Sequence, residues 1–365
     1  MIAKHDYPTD WDNLLPDLIK KFNDSNPAVV NGVLKTANSI FKSFRYGQRS
    51  DALYSVIIYS LQRIQEPLLM IFQSTVKQID TAGNDLQLLS AKIESLRLIC
   101  RIFYSLNYQD LPEFFEDNMG HWMEGFSKFL QYKNPILVDD AEESEPSVID
   151  RLQTAIVENL YLYVDKDEEP FHVFLPNFTQ LVWQRLLDVT IYPKHDMLAI
   201  TCIRFISALV KKSIYKELFQ DDATLKDIIG RIVVPNLAIR EADEIRFDED
   251  PAEFIATDIE GNESGSRRRG SQELLRDMCR LFEDQTKAIC GTHITQMLDG
   301  YAQNPAERWQ AKDVAVSTGN KREAGRNKQE LGVCDIDSGV TSGTGQNECR
   351  CHVVIRPFYP QTFRL

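Results

Sequence analysis

The residues best suited to chemistry are crowded into one stretch, Arg240 to Ser271, which reads READEIRFDEDPAEFIATDIEGNESGSRRRGS. Ten carboxylates stand between Glu241 and Glu263 against one arginine, Arg246, and three arginines follow at once. A carboxylate run of this kind can meet a basic surface and steer its approach, which is recognition chemistry rather than bond-making. The candidate contact residues are Glu241, Asp243, Glu244, Asp248, Glu249, Asp250, Glu253, Asp258 and Glu260, with Arg267, Arg268 and Arg269 behind them. The plain alternative is a solvated loop without a partner. Arg268-Arg269-Gly270-Ser271 also has the form of a basic-directed kinase site, at which phosphate on Ser271 would add charge close to a helix start.

Residues for catalysis or metal binding are not arranged for it. The chain has no HExxH, no GxxxxGK[ST] and no GxSxG, and its six histidines are dispersed without ligand spacing. His121 and His195 read as polar flanks or satisfied semi-buried groups, and Trp122 and Trp183 as core anchors. Cys349-Arg350-Cys351 is a single close pair where structural zinc wants four ligands. Gly343-x-Gly345 follows no strand and opens no helix, so it makes no nucleotide-binding turn. Sequons start at Asn23, Asn177 and Asn262, but they carry no weight in a protein kept inside the cell. The expectation is a protein without enzymatic activity, metal or cofactor.

The elements that must position the acidic stretch are helices. Apolar residues recur at helical spacing in segment after segment, predicting helices of about 12 to 20 residues and almost no strand. From Pro112, the residues Phe115, Met119, Trp122, Met123, Phe126, Phe129 and Leu130 form one wide face; from Pro170, Phe171, Phe174, Leu175, Phe178, Leu181, Val182 and Leu186 repeat the plan. Stripes such as Val30 to Phe44, Leu89 to Phe103, Ile149 to Leu160 and Leu198 to Leu209 supply the partner helices, and a last pair runs from Leu225 to Phe282. The reading is an all-α solenoid of five or six helix hairpins over residues 1–316, each stacked on its neighbours, with acidic insertions at 240–269 and around Asp139 to Glu145. Residues 317–365, with six glycines and three of the seven cysteines, carry no stripe and are expected to be disordered or foreign to the fold.

A net charge of −13 argues against general affinity for nucleic acid or anionic membrane. No apolar run is long enough to span a bilayer, and MIAKHDYPTD lacks a secretory apolar stretch, so an intracellular protein with reduced thiols is expected.

Three passages go beyond periodicity: VNGVLKTANSIFKSFR (Val30 to Arg45), DLPEFFEDNMGHWMEGF (Asp110 to Phe126) and the opening segment. Together they resemble the CAS-type exportins, the importin-α re-exporters of the importin-β superfamily. The resemblance spans residues 1 to about 315 and corresponds to the family's central repeats, without its N-terminal repeats and C-terminal half. It implies a HEAT-repeat fold, Ran-GTP and importin-α as partners, residence in nucleus and cytoplasm, and an insertion at 240–269 that touches Ran and influences opening of the superhelix. The reading from another class is a general HEAT scaffold, or a truncated variant, that binds no Ran.

Overall fold

A computed structural model describes residues 7, 8, 10–137, 145–256 and 265–319. All regular structure among them is helical. In chain order the helices are α1 (Leu14–Ile19), α2 (Pro27–Tyr46), α3 (Asp51–Thr81), α4 (Leu86–Asn107), α5 (Glu113–Asp117), α6 (Met119–Leu130), α7 (Val148–Lys166), α8 (Leu175–Asp188), α9 (Asp196–Lys211), α10 (Asp222–Asp227), α11 (Val234–Leu237), α12 (Glu241–Glu249), α13 (Pro251–Ile255), α14 (Arg267–Leu281), α15 (Glu283–Gln303) and α16 (Trp309–Gly319). A π-helical turn, Ile228–Val233, joins α10 to α11.

The starts of these helices are written in short polar residues. The side chain of Asn26 accepts from the Ala28 amide, Ser50 from Leu53, Asp85 from Leu88, and Ser147 and Asp150 cap each other's backbone at the start of α7. Each bond satisfies a donor that the helix itself leaves open, worth about 1 kcal/mol.

Two layers result. In the first, α2 packs on α4, α4 on α7, α7 on α9, and α9 on α14. In the second, α3, α6, α8, the segment from α10 to α11, and α15 follow one another, each also packed on its partner in the first layer. The hairpins are therefore stacked neighbour on neighbour, as the apolar spacing predicts. The interior first-layer helices α4, α7 and α9 touch the helix before, the helix after and the layer beneath, so three of their sides are largely apolar. Between Leu198 and Val210 in α9, Arg204 alone escapes burial.

Polar bonds fix the register of this stack. Asn31 on α2 donates to the Ala91 carbonyl at 3.0 Å and accepts from Ser95 at 2.6 Å; Asn159 on α7 donates to the Cys100 carbonyl at 3.1 Å; Ser207 on α9 donates to Asp277 on α14 at 2.7 Å. A helix sliding by one turn would strand these buried groups, which penalises other registers.

Some local expectations differ from what forms. Helix α3 runs for 31 residues with Pro67 inside it, because Ile57, Leu61, Ile64, Leu68, Ile71 and Ile79 continue one buried face past the proline. The stripe from Pro112 is split at Asn118 into α5 and α6, and Pro170 lies in a 3-10 turn, Glu169–Phe174, before α8 opens with Pro176 in its first turn. Helix α16 carries order to Gly319, three residues into the segment expected to be foreign to the fold. The remainder of that segment, with Cys334, Cys349, Cys351 and the Gly343-x-Gly345 turn, lies outside the described residues, as do residues 138–144 of the other acidic insertion.

An aromatic cluster fills the place where α3, α4, α5 and α6 meet. The Trp122 ring lies 4.3 Å from Phe72 and 4.2 Å from Phe103, with Phe115 and Phe126 edge-on around them. Gly125 faces Phe72 so closely that a Cβ there would lie 2.4 Å from the ring's Cζ. Gly125→Ala is expected to cost about 2 kcal/mol through forced displacement of Phe72, read as a lower urea midpoint at unchanged m-value; an unshifted midpoint would contradict this packing.

Candidate functional site

The acidic insertion is clamped at both ends to one carboxylate. Asp196, the first residue of α9, accepts at Oδ1 from Arg240 Nη1 at 2.7 Å and from Arg267 Nε at 2.7 Å, and at Oδ2 from Arg240 Nη2 at 3.2 Å. Arg240 precedes α12 and Arg267 opens α14, so the two arginines bracket the insertion. Their remaining donors bind the α8–α9 connection: Arg240 reaches the Ile191 carbonyl, and Arg267 the carbonyls of Thr190 and Tyr192. Arg240 also holds Asp243 through Nε at 2.8 Å and Nη2 at 2.9 Å, and its backbone amide donates to the same carboxylate.

These charges are substantially removed from water, and Arg267 keeps only 5% of its side-chain exposure. Burial works against the Arg240 charge, but hydrogen bonds to Asp243 and Asp196 outweigh it and raise the Arg240 pKa. Burial likewise opposes ionisation of Asp243, and Arg240 holds its carboxyl below the usual range. At Arg267 burial dominates and lowers the pKa against the pull of Asp196. The guanidinium remains charged at any ordinary pH.

The trio read from the sequence as one basic patch therefore points three ways into its own protein. Arg267 is in the clamp; Arg268 donates to Asp313 of α16 and to the Leu237 carbonyl; Arg269 pairs with Glu273 at 3.1 Å. Of the predicted carboxylates, Asp243 is held in the clamp and Glu244 accepts from Gln310 at 3.4 Å. Glu241, Asp248, Glu249, Asp250 and Glu253 are exposed, although Asp250 also caps α13 through the Glu253 amide. Asp258 and Glu260 lie outside the described residues.

Helices α12 and α13 are held together by an edge-to-face contact of Phe247 with Phe254 at 5.7 Å. Between them and the first layer lies a cleft of about 560 Å³, with Met197, Ile200, Pro235 and Phe254 in its walls and Glu249 and Glu253 on its lining. Among the described residues no group of three or more His, Cys, Asp or Glu could hold a metal ion.

A second network adjoins the clamp. Asp150 on α7 takes Arg185 at 2.8 Å and the Ser147 hydroxyl at 2.7 Å, with His195 Nε2 at 3.6 Å; His195 Nδ1 meets Thr190 Oγ1 at 2.6 Å. Burial opposes the Asp150 charge, yet His195, Ser147 and Arg185 bring its pKa down to about 2. A depressed carboxylate pKa contributes stability that is complete above the unfolded value and lost as pH falls through the folded one. Asp150→Asn is accordingly expected to remove about 2 kcal/mol at neutral pH and little near pH 2, seen as a flatter acid limb in stability against pH; an acid limb of unchanged steepness would contradict it.

Asp196, Arg240 and Thr190 were not singled out by sequence pattern. Arg240 followed at three residues by Asp243 is a weak capping signal, and nothing in the sequence marks Asp196. Ser271 corrects the kinase-site reading. It is fully buried on α14, where its hydroxyl has no hydrogen-bond partner, and the neighbouring Gly270 backs onto Ile203. A phosphate has no room there and no kinase could reach the hydroxyl in the folded chain. Ser271→Ala is expected to leave stability within about 1 kcal/mol or raise it, and Ser271→Glu to cost more than about 3 kcal/mol, measured by thermal unfolding; a tolerated glutamate would contradict the burial.

The sequence model of the Cse1 family matches residues 40–341. Over 316 residues the chain is 38% identical to Exportin-2 of Oreochromis niloticus and 37% identical to Exportin-2 of Homo sapiens, covering 87% of this chain and 32% of each relative. It thus spans about a third of the length of these relatives. The solved structure "The exportin Cse1 in its cargo-free, cytoplasmic state" superposes with a TM-score of 0.85 at 31% identity, over 89% of this chain and 35% of that one. The all-α HEAT-repeat solenoid expected from the sequence is the fold observed. A bidirectional nuclear transport receptor of S. cerevisiae, Lph2, shares the fold at a TM-score of 0.54 and 15% identity.

Proposed function

The chain belongs to the Cse1 family, and on that premise we propose that it serves as part of a nuclear transport receptor that carries importin-α out of the nucleus together with GTP-bound Ran. It does so by surface complementarity and makes or breaks no bond. What supports this most is the likeness to the Cse1 exportin, close in both sequence and backbone along nearly all of the described chain. The geometry fits the reading in a second way. Exposed Asp248, Glu249 and Glu253 stand on the short helices α12 and α13, and the chain is held to Asp196 by Arg240, directly before α12, and by Arg267, where α14 begins. Preorganised charge of this kind steers a basic surface and costs little ordering on binding.

No helix among the described residues is long and apolar enough to cross a membrane. Movement of the protein between nucleus and cytoplasm is part of the same proposal. It is tested by retention of importin-α and Ran on the immobilised chain, with Ran loaded with GTP or GDP. Retention that depends on GTP is expected, whereas binding indifferent to the nucleotide would make the protein a general scaffold. The combined variant Asp248→Asn, Glu249→Gln, Asp250→Asn, which keeps the α13 cap, is expected to bind several-fold more weakly and with a shallower salt dependence; an unchanged salt slope would remove the insertion from the contact.

A further inference from the structure

The two layers of the solenoid carry opposite charge. The helices α2, α4, α7, α9 and α14 of the first layer hold 15 Lys and Arg against 7 Asp and Glu. In the second layer α1, α3, α6, α8, α10, the π-helical turn, α11 and α15 hold 7 against 11. An excess of basic residues on one layer is unexpected in a chain whose net charge is −13. Some of these charges are spent inside the fold, among them Asp150, Asp196, Arg267, Arg268 and Asp277. Those that remain open to solvent, Lys35, Lys42, Arg97, Arg151, Arg204 and Arg276 among them, leave a basic excess along a strip that crosses the five helices.

The charges on that strip are close enough to act on one another. Burial opposes ionisation of Glu94, yet Arg97 on its own helix, Arg151 on α7 and Lys35 on α2 hold its carboxyl below the usual range. Arg101 on α4 pairs with Glu158 on α7, and Arg45 on α2 lies over the Tyr104 ring at 4.5 Å. Farther along, the half-buried Tyr161 on α7 lies within the fields of Arg204 on α9 and Glu273 on α14. Lys35 and Lys42, seven residues apart on α2, are exposed at one end, and Arg276 lies toward the other.

We propose that this strip is a docking surface for an acidic face of another protein, separate from the acidic insertion and opposite to it in sign. Arginine and half-exposed tyrosine are the side chains that protein interfaces favour, each combining a broad apolar body with a polar end. The interspersed carboxylates Glu94, Glu158 and Glu273 favour a protein over nucleic acid. They would repel an unbroken line of phosphates, but a protein face offers both signs of charge and can match them. The proposal does not rest on the transport reading, because it follows from where the charges fall on the stack.

The full chain is titrated with fluorescently labelled poly-L-glutamate and, in parallel, with labelled oligo-dT of matched charge, and hydrogen exchange is followed with and without the peptide. Poly-L-glutamate is expected to bind in a salt-dependent way and to protect α2, α4 and α14. The variant Lys35→Glu, Lys42→Glu, Arg276→Glu is expected to bind it about tenfold more weakly. The control Lys77→Glu, Lys226→Glu, Arg231→Glu, all exposed on the second layer, is expected to bind as the unaltered chain does. Absence of binding, an equal loss in both variants or protection confined to the second layer would overturn the proposal. Tighter binding of oligo-dT with the same dependence on Lys35, Lys42 and Arg276 would overturn it in favour of nucleic acid. Protection on the unaltered chain decides the matter even if the first variant folds poorly.

Discussion

In this molecule each helix of the first layer is covered only by its immediate neighbours, and that nearest-neighbour burial shapes the rest. Helix α9 shows its strength: from Leu198 to Val210 it presents apolar or small side chains to α7, to α14 and to α8 beneath, and every residue of that stretch but the exposed Arg204 is buried. Such a helix has no stable existence outside the stack, since its burial comes from segments on both sides in sequence. The same constraint explains the buried polar ties of Asn31, Asn159 and Ser207. Apolar stripes pack with some tolerance for sliding, and it is the hydrogen bonds between consecutive helices that select one register.

Insertions in such an array must leave and rejoin without disturbing the next pair. Here the solution is electrostatic. Asp196 stands at the start of α9, where a carboxylate already complements the helix dipole, and it receives Arg240 as the insertion departs and Arg267 as the chain returns. One half-buried anion held by Arg240 and Arg267, with Arg246 at 3.9 Å, is costly to desolvate, and the carbonyls of Thr190, Ile191 and Tyr192 offset this by accepting remaining donors of the two bound arginines. Asp150 and His195 adjoin through Thr190, so the α7 start, the α8–α9 connection and both ends of the insertion form one polar joint. Loss of a single member would leave its partners buried without compensation, which ties the placement of the insertion to the integrity of the repeats around it.

The arrangement separates two kinds of surface. Carboxylates without clamp duties stand outward on α12 and α13, whereas basic groups collect along the exposed side of the first layer. Opposite fields at different places orient a partner before short-range contacts form.

Much of this architecture was legible in the amino-acid sequence. Stripes at helical spacing announced the hairpins, short polar residues marked their starts, and the passages Val30 to Arg45 and Asp110 to Phe126 carried the family resemblance, all because local periodicity and local capping are properties of contiguous residues. The position of the acidic insertion was legible for the same reason. What contiguity does not encode is which distant side chains meet. Asp196 lies far along the chain from both Arg240 and Arg267, and only the stacking of α9 against α14 brings them within hydrogen-bonding distance. Ser271 in its basic context looked accessible until packing against α9 buried it, and the arginine trio looked like one patch until the helix beginning at Arg267 turned each side chain a different way. Helical period fixes the face on which a residue lies; the neighbour that covers that face, and hence whether its charge serves water, a partner or the fold itself, is decided by tertiary contacts between segments tens of residues apart.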